Sequence, residues 1–185
     1  MLIKLALKQA NVVTAVSNFT ANMVKQDLGY KGEIKVIHNG IDTEHFVPRQ
    51  KDNRQDNEVR VFFSGNLTKR KGAHWLPEIA DKLDKNINIY YTAGLRTKKN
   101  LPERNNLIPI GPVKFEDMPE RYQEMDILLM PTVREGMSLA LLEGMSCGLP
   151  VIASNCSSMP ELIDEGIGGY LCQIGDTDNF AKSIN

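Results

Sequence analysis

Short apolar runs alternate along the chain with segments whose hydrophobic positions recur at helical spacing. Val12–Val16 reads as a strand, followed by a helix over Asn18–Leu28 with Ser17 as its N-cap and Gly29 at its close. Ile34–Ile37 is a second strand, ending in the turn-forming cluster His38–Asp42 and a connection to Pro48. The polar stretch Gln50–Glu58 reads as a linker or exposed loop. A new unit begins with the strand Val59–Phe63, then a helix from about Gly72 to Leu83 with Leu76, Ile79, Ala80 and Leu83 on one face. Strands follow at Ile87–Thr92 and Leu107–Ile110. A helix over Phe115–Glu124 carries Met118 and Tyr122 toward the side of Met125. Ile127–Met130 has the composition of a buried strand, Leu139–Cys147 of a helix and Val151–Ala153 of a strand. Pro160–Ile163 reads as a helical turn, Tyr170–Cys172 as a short strand, and a helix opens at Asp176. Trp75 and the methionines are most simply core residues.

Repeated strand–helix alternation predicts an α/β fold with a parallel sheet covered on both faces, the doubly wound class. In such sheets ligands bind outside the carboxyl ends of the strands. The Gly65 turn, the Gly111 turn and Glu135 all follow strands, so the pattern puts all three on that rim.

Composition narrows the function classes. At 185 residues, 42% hydrophobic and 24% charged, the chain has the make-up of an ordinary globular domain, or a domain plus a piece of another. A formal net charge of −1 argues against a nucleic-acid surface, which needs clustered Lys and Arg. No stretch reaches the roughly 18 apolar residues of a membrane helix. Met1–Leu7, which carries Lys4, is too short for a span or a signal peptide. Cys147, Cys156 and Cys172 lack metal-like spacing, and His38, His45 and His74 are scattered, so no structural metal is implied. Cys147 is expected to be a buried free thiol, and a reducing, cytoplasmic setting fits the three cysteines.

Two segments carry candidate chemistry. In Arg134–Glu143, the carboxylates Glu135 and Glu143 have seven residues between them. The first falls in the loop after a strand, the second about two turns into the helix that follows. Gly136 and Ser138 sit where that helix begins. A helix N-terminus presents unpaired N–H groups and partial positive charge, and so attracts phosphate. Carboxylates accept hydrogen bonds only, which suits them to sugar hydroxyls. The pair therefore brackets a site for a molecule bearing both phosphate and hydroxyls. Each glutamate alone reads more simply as a surface or helix-dipole residue that needs no ligand.

The second segment, Ser64–Gly72, joins a buried strand to a helix through Gly65, Asn66 and the run Lys69-Arg70-Lys71. Gly65 allows close backbone approach, and Lys71, beside the helix start, is best placed to meet a diphosphate. Neither a Walker loop nor a dinucleotide fingerprint is present. Asn39-Gly40 reads as turn chemistry, and Gly111-Pro-Val113 as a backbone turn able to edge a base.

In this order, the segments resemble the retaining glycosyltransferases of family 4, in the two-domain GT-B architecture. The resemblance rests on Val13–Ser17, on Val36–Asp42 with Phe46 and Pro48, and on Phe63–Gly72. It continues through Ile110–Val113, Met118-Pro-x-x-Tyr122, Asp126–Pro131, the two glutamates and Ala153-Ser…Pro160-Glu161. It implies a Rossmann-like C-terminal donor-binding domain over residues 48–185, its last helix truncated, and the terminal portion of an acceptor domain plus hinge over residues 1–47. It implies transfer of a hexosyl group from a UDP- or GDP-linked sugar to a hydroxyl of a glycan or lipid-linked acceptor. Cofactor and metal are both dispensable in that scheme. The residue matching Glu135 contacts the transferred sugar, and the one matching Glu143 holds the ribose. The backbone of Gly136, Met137, Ser138 and Leu139 approaches sugar and phosphates. Lys71 neutralises the departing diphosphate, Gly65 and Asn66 line it, and Val113 lies near the base.

Two departures qualify these expectations. Asn66 stands where the family usually has arginine, so one phosphate cation is missing and Arg70 is the residue able to bend in. The chain also holds only the last portion of an acceptor domain. The fragment alone is therefore expected to bind donor nucleotide weakly, if at all, to transfer little or no sugar, and to expose apolar surface through Leu2, Ile3, Leu5 and Leu7. Self-association as a homodimer, or domain swapping, follows from that exposure. Peripheral contact with the inner face of a membrane is expected only through the missing half. Two other functions share the architecture: a non-catalytic binding protein of degenerate transferase fold, and a nucleotide-sugar 2-epimerase.

Overall fold

The computed structural model describes residues 2–49, 54–93 and 101–185. Residues 50–53 of the anticipated linker lie outside the described residues. The N-terminal segment contributes α1 (Leu2–Gln9), β1 (Thr14–Ala15), α2 (Asn18–Leu28) and β2 (Lys35–Val36). The remainder contributes β3 (Val59–Phe63), α3 (Leu76–Ala80), β4 (Ile87–Thr92), β5 (Leu107–Gly111), α4 (Met118–Gln123) and β6 (Ile127–Met130). It continues with α5 (Leu139–Ser146), β7 (Val151–Ser154), α6 (Met159–Leu162), β8 (Gly169–Cys172) and α7 (Thr177–Ile184).

Six strands form one parallel sheet in the order β5-β4-β3-β6-β7-β8, while β1 and β2 pair in parallel by themselves. The chain winds outward from β3 to β5 on one side and from β6 to β8 on the other. The sheet therefore has its topological switch point between β3 and β6. Alternation along each strand splits the core into two layers. Val61 and Phe63 of β3 pack with Leu76, Ile79, Ile89, Leu129, Ile152 and Phe180 beneath α3 and α7. Phe62 packs on the opposite face with Tyr122, Leu128, Leu141, Val151, Met159 and Phe46.

Several elements are shorter than the apolar pattern predicts. The first two strands pair over only two residues each, Thr14 with Lys35 and Ala15 with Val36. The helix expected over 72–83 begins as a 3-10 turn at Ala73–Trp75 and is α-helical only over Leu76–Ala80, because Pro77 can occupy a first turn but not an interior. The expected 115–124 helix likewise opens with a 3-10 turn, Phe115–Asp117, ahead of Met118-Pro119. Trp75 packs against the core from its edge. It is half-buried on the rim, where Gly175, at φ +77°, leaves room for its indole.

The N-terminal segment docks on the main sheet's helices through polar contacts. The Ser17 hydroxyl caps α2 by accepting from Thr20 N at 3.1 Å and donates to the Gly136 carbonyl at 2.7 Å. Glu161, 143 residues away, accepts from Asn18 N at 2.8 Å and from Phe19 N at 2.7 Å, so a carboxylate of α6 closes the N-terminus of α2. Burial opposes the charge on Glu161, but these backbone donors and the Asn18 amide outweigh it and hold the carboxyl below its ordinary value of 4.5. A depressed folded-state value means the stabilisation is complete above pH 4.5 and lost as pH falls through the lower folded-state value. Thermal melts across that range should therefore show the wild type losing its advantage over Glu161→Gln on acidification. A constant gap between the two would disprove the coupling.

In α1, Leu2, Ile3 and Leu5 are exposed, as the sequence predicts, while Leu7 is half-buried in a groove shared with Leu28 and Tyr30. No helix among the described residues is long and apolar enough to cross a membrane.

Candidate active site

The loops after β3 and β6 flank the switch point and are joined backbone to backbone. The Arg70 carbonyl accepts from Val133 N at 2.8 Å and from the Thr132 hydroxyl at 3.0 Å. Gly72, at φ +75°, passes so close that a Cβ there would stand 1.7 Å from the Pro131 carbonyl oxygen. Gly65 is fixed from β4, its N–H donating to the Thr92 hydroxyl at 2.8 Å. A Cβ on Gly65 would meet the Lys71 side chain at 3.7 Å, so the glycine turn and the lysine stem lie against each other.

These constraints bring Lys71 to Glu135. Lys71 Nζ lies 2.8 Å from Glu135 Oε1, and Arg70 Nη1 lies 3.0 Å from the same oxygen. Arg70 Nη1 also donates to the Arg134 carbonyl at 3.0 Å, and the Thr132 hydroxyl lies 3.3 Å from Glu135 Oε1. Glu135 is buried, at 8% exposure, so its charge depends on these partners. Of the three adjacent cations, two converge on the site. Lys69 is exposed and acts instead on His74, whose imidazole burial and that neighbouring charge hold below its usual range.

Glu135 leads directly to α5. Ser138 precedes the helix in extended conformation, and its own hydroxyl makes no cap bond. Ser138 is 3% exposed and its Oγ is buried without a hydrogen-bond partner among the described residues, at the point where the α5 N–H groups emerge. Met137 is buried and held from the N-terminal segment: Asn39 N lies 3.1 Å from its sulfur, and Asn39 Nδ2 donates to its carbonyl at 3.4 Å. Gly136 is exposed, with Val16 and Thr20 in van der Waals range of a Cβ built there, and Leu139 is half exposed.

Glu143 is the fifth residue of α5, one turn from its start rather than two, because the helix begins only at Leu139. Its Oε2 accepts from the Tyr122 hydroxyl at 2.8 Å. Burial and the Glu143 carboxylate push that phenol well above its usual range. Cys147, one turn further, is a buried free thiol pushed up to about 11 by burial and the same carboxylate. Asn66 is half-buried in the loop, its carbonyl closing a turn with Thr68 N at 2.8 Å. Val113 stands on the same rim beyond β4 and has no hydrogen bond to the Lys71–Glu135 cluster among the described residues.

The cluster can hold a dianion between Lys71, Arg70 and the start of α5, with acceptors on either side for hydroxyls. Among the described residues no group of three or more His, Cys, Asp or Glu side chains comes together to hold a metal. Thr132, Thr92, Ser17 and Asn39 shape the site without having been singled out for it. Asn39 does more than form a turn, and only its contact with Met137, 98 residues on, reveals that.

The chain belongs to the group 1 glycosyl transferases, whose family model matches residues 58–185. Residues 1–45 match a second model, described as Glycosyltransferase Family 4. Among its relatives, the N-acetyl-alpha-D-glucosaminyl L-malate synthase of Bacillus anthracis is 27% identical over 97% of this chain and 51% of its own length. The O-antigen biosynthesis glycosyltransferase WclY of Escherichia coli is 33% identical over 81% of this chain and 44% of its own. The chain thus spans about half the length of such relatives. The sucrose-phosphate synthase of Thermosynechococcus elongatus superimposes with a TM-score of 0.87 at 21% identity, covering 100% of this chain and 50% of that one. Anabaena Alr3699/HepE, solved in complex with UDP-glucose, gives 0.85 at 22% identity, covering 99% and 55%. These likenesses show the Rossmann-like GT-B fold expected from the sequence. The family match favours a transferase over the 2-epimerase and over the non-catalytic binding protein.

Proposed function

We propose that this chain is the donor-binding portion of a retaining glycosyltransferase. It takes a hexosyl group from a nucleoside-diphosphate sugar and passes it to a hydroxyl of a glycan or lipid-linked acceptor. Residues 48–185 form the donor domain in this reading, and residues 1–47 the hinge and last part of an acceptor domain. The observation that carries it is the gathering of Lys71, Arg70 and Glu135 at the sheet's switch point, facing an α5 N-terminus with the unpartnered Ser138 hydroxyl. The UDP-glucose held by HepE favours a uridine nucleotide over a guanosine one.

Lys71 and Arg70 exchange part of their hold on Glu135 for the diphosphate. The α5 N–H groups and Ser138 Oγ donate to its oxygens. Glu143 accepts from the ribose, Val113 edges the base, and Glu135, released from its cations, accepts from the sugar. The positive field is already in place when the sugar–phosphate bond breaks, so charge on the leaving group is stabilised without reorganisation and without a metal. The acceptor hydroxyl attacks on the face the diphosphate leaves and gives its proton to the departing diphosphate oxygen, which retains configuration. Arg70 supplies the second cation that Asn66 does not.

Calorimetric titration with UDP, GDP, ADP and UDP-glucose tests the reading. Glu143→Ala should weaken the preferred nucleoside diphosphate by roughly ten- to a hundredfold, the loss of a hydrogen bond to a charged group. Glu135→Ala should leave it unchanged or tighter, because Lys71 is freed, and should erase any added affinity for the sugar-bearing donor. Equal effects of the two substitutions would mean the roles are misassigned, and failure of all the nucleotides to bind would end the proposal.

A further inference from the structure

Tyr122 stands outside every role assigned so far, yet it is fully buried and makes its closest polar contact with a proposed ligand-binding carboxylate. Its ring is clamped edge-on between Phe62, at 5.2 Å between centroids, and Phe46, at 6.1 Å. On the remaining side α5 closes down across Gly144, where a Cβ would lie 2.6 Å from Leu128 and 3.5 Å from the tyrosine ring. A ring packed on three sides has no freedom to swing, so its hydroxyl is a fixed point in the core.

That fixed point is spent on Glu143. The phenol lies 2.8 Å from Oε2 and 3.3 Å from the Ala140 carbonyl, and a single O–H favours the nearer, charged acceptor. Among the described residues Glu143 accepts no other hydrogen bond, so Oε1 is left for a ligand. A glutamate on a helix surface has three rotatable side-chain bonds, and freezing them on binding costs affinity. Holding one oxygen beforehand removes part of that cost.

Resting on the reading of Glu143 as the ribose acceptor, we infer that Tyr122 is a positioning residue. By tethering Glu143 Oε2 it aims Oε1 at the vicinal hydroxyls of the nucleotide ribose, and so sets the preference for ribonucleotide over deoxynucleotide donors.

The test titrates UDP, GDP and ADP, each against its 2′,3′-dideoxy counterpart, into the wild-type chain and Tyr122→Phe. The wild type should prefer the ribose form of its nucleotide. Tyr122→Phe should lower that preference by about tenfold, the loss of one charge-assisted bond, while binding the dideoxy form as before. Unchanged dideoxy binding also reports that the variant is folded. Equal preference in the two proteins overturns the inference and leaves the ribose reading intact. A wild type without preference overturns that reading, and the inference with it. A variant that loses both nucleotides makes the phenol a packing group, which also overturns it. Independently of any variant, a structure of the wild type with bound nucleotide should show a ribose hydroxyl on Glu143 Oε1 with Tyr122 still on Oε2. A carboxylate that abandons Tyr122 to reach the ribose would refute the tether.

Discussion

Gly72→Ala is expected to destabilise the chain by about 2–6 kcal/mol, combining roughly 1–3 for a left-handed conformation imposed on alanine with roughly 1–3 for overpacking. The steric part arises because the new methyl would stand 1.7 Å from the Pro131 carbonyl oxygen, a backbone atom that cannot rotate aside. To make room, the loops after β3 and β6 must separate, breaking the bonds from Thr132 and Val133 to the Arg70 carbonyl. Gly111 provides the control: its φ is +72°, but no atom lies within 4 Å of a Cβ built there. Gly111→Ala should therefore lose only the conformational part, about 1–3 kcal/mol. Urea denaturation of both variants measures the difference. Equal losses would show that close approach of the two loops contributes nothing.

Lys71→Met is expected to weaken binding as strongly as Glu143→Ala. Methionine keeps the stem that packs on Gly65 but removes the ammonium 2.8 Å from Glu135. Loss of a charge-assisted contact to diphosphate costs about 1.5–3 kcal/mol, roughly ten- to a hundredfold in UDP affinity. Uridine, which has no phosphate, should bind as it does to the wild type. Arg70 still neutralises Glu135 in the variant, so the fold should survive; a melting temperature near that of the wild type would confirm it. Parallel losses of UDP and uridine would mean that Lys71 supports the loop rather than the ligand.

Much of this arrangement is legible in the sequence because it is local. Apolar runs bounded by turn residues locate β3 through β8 to within a residue or two, and their alternation with helices dictates the parallel sheet. Glu135 and Lys71 stand out because each sits where a strand gives way to a helix. What eludes sequence reading depends on residues far apart in the chain. Thr132 matters because its hydroxyl meets a carbonyl 62 residues away, and Tyr122 because α4 packs on α5. Ser17 looks like an ordinary helix cap until its hydroxyl is seen on Gly136, 119 residues on. Hydrophobic periodicity also overestimates helix length at Pro77 and Pro119. It places apolar faces but is insensitive to the 3-10 turns that precede each proline.

The two contacts that Ser17 and Glu161 make across the chain bear on how chains of this family can be recombined. Gly136 is steadied by a hydroxyl, and α2 is closed by a carboxylate, each supplied from the opposite end of the sequence. A hybrid joined near residue 48 would separate each donor from its acceptor unless both parents carry the matching pair. Grafts that move residues 17–20 together with the downstream half should keep the loop that carries Glu135 in shape, whereas a cut at the apparent linker would leave it unbraced.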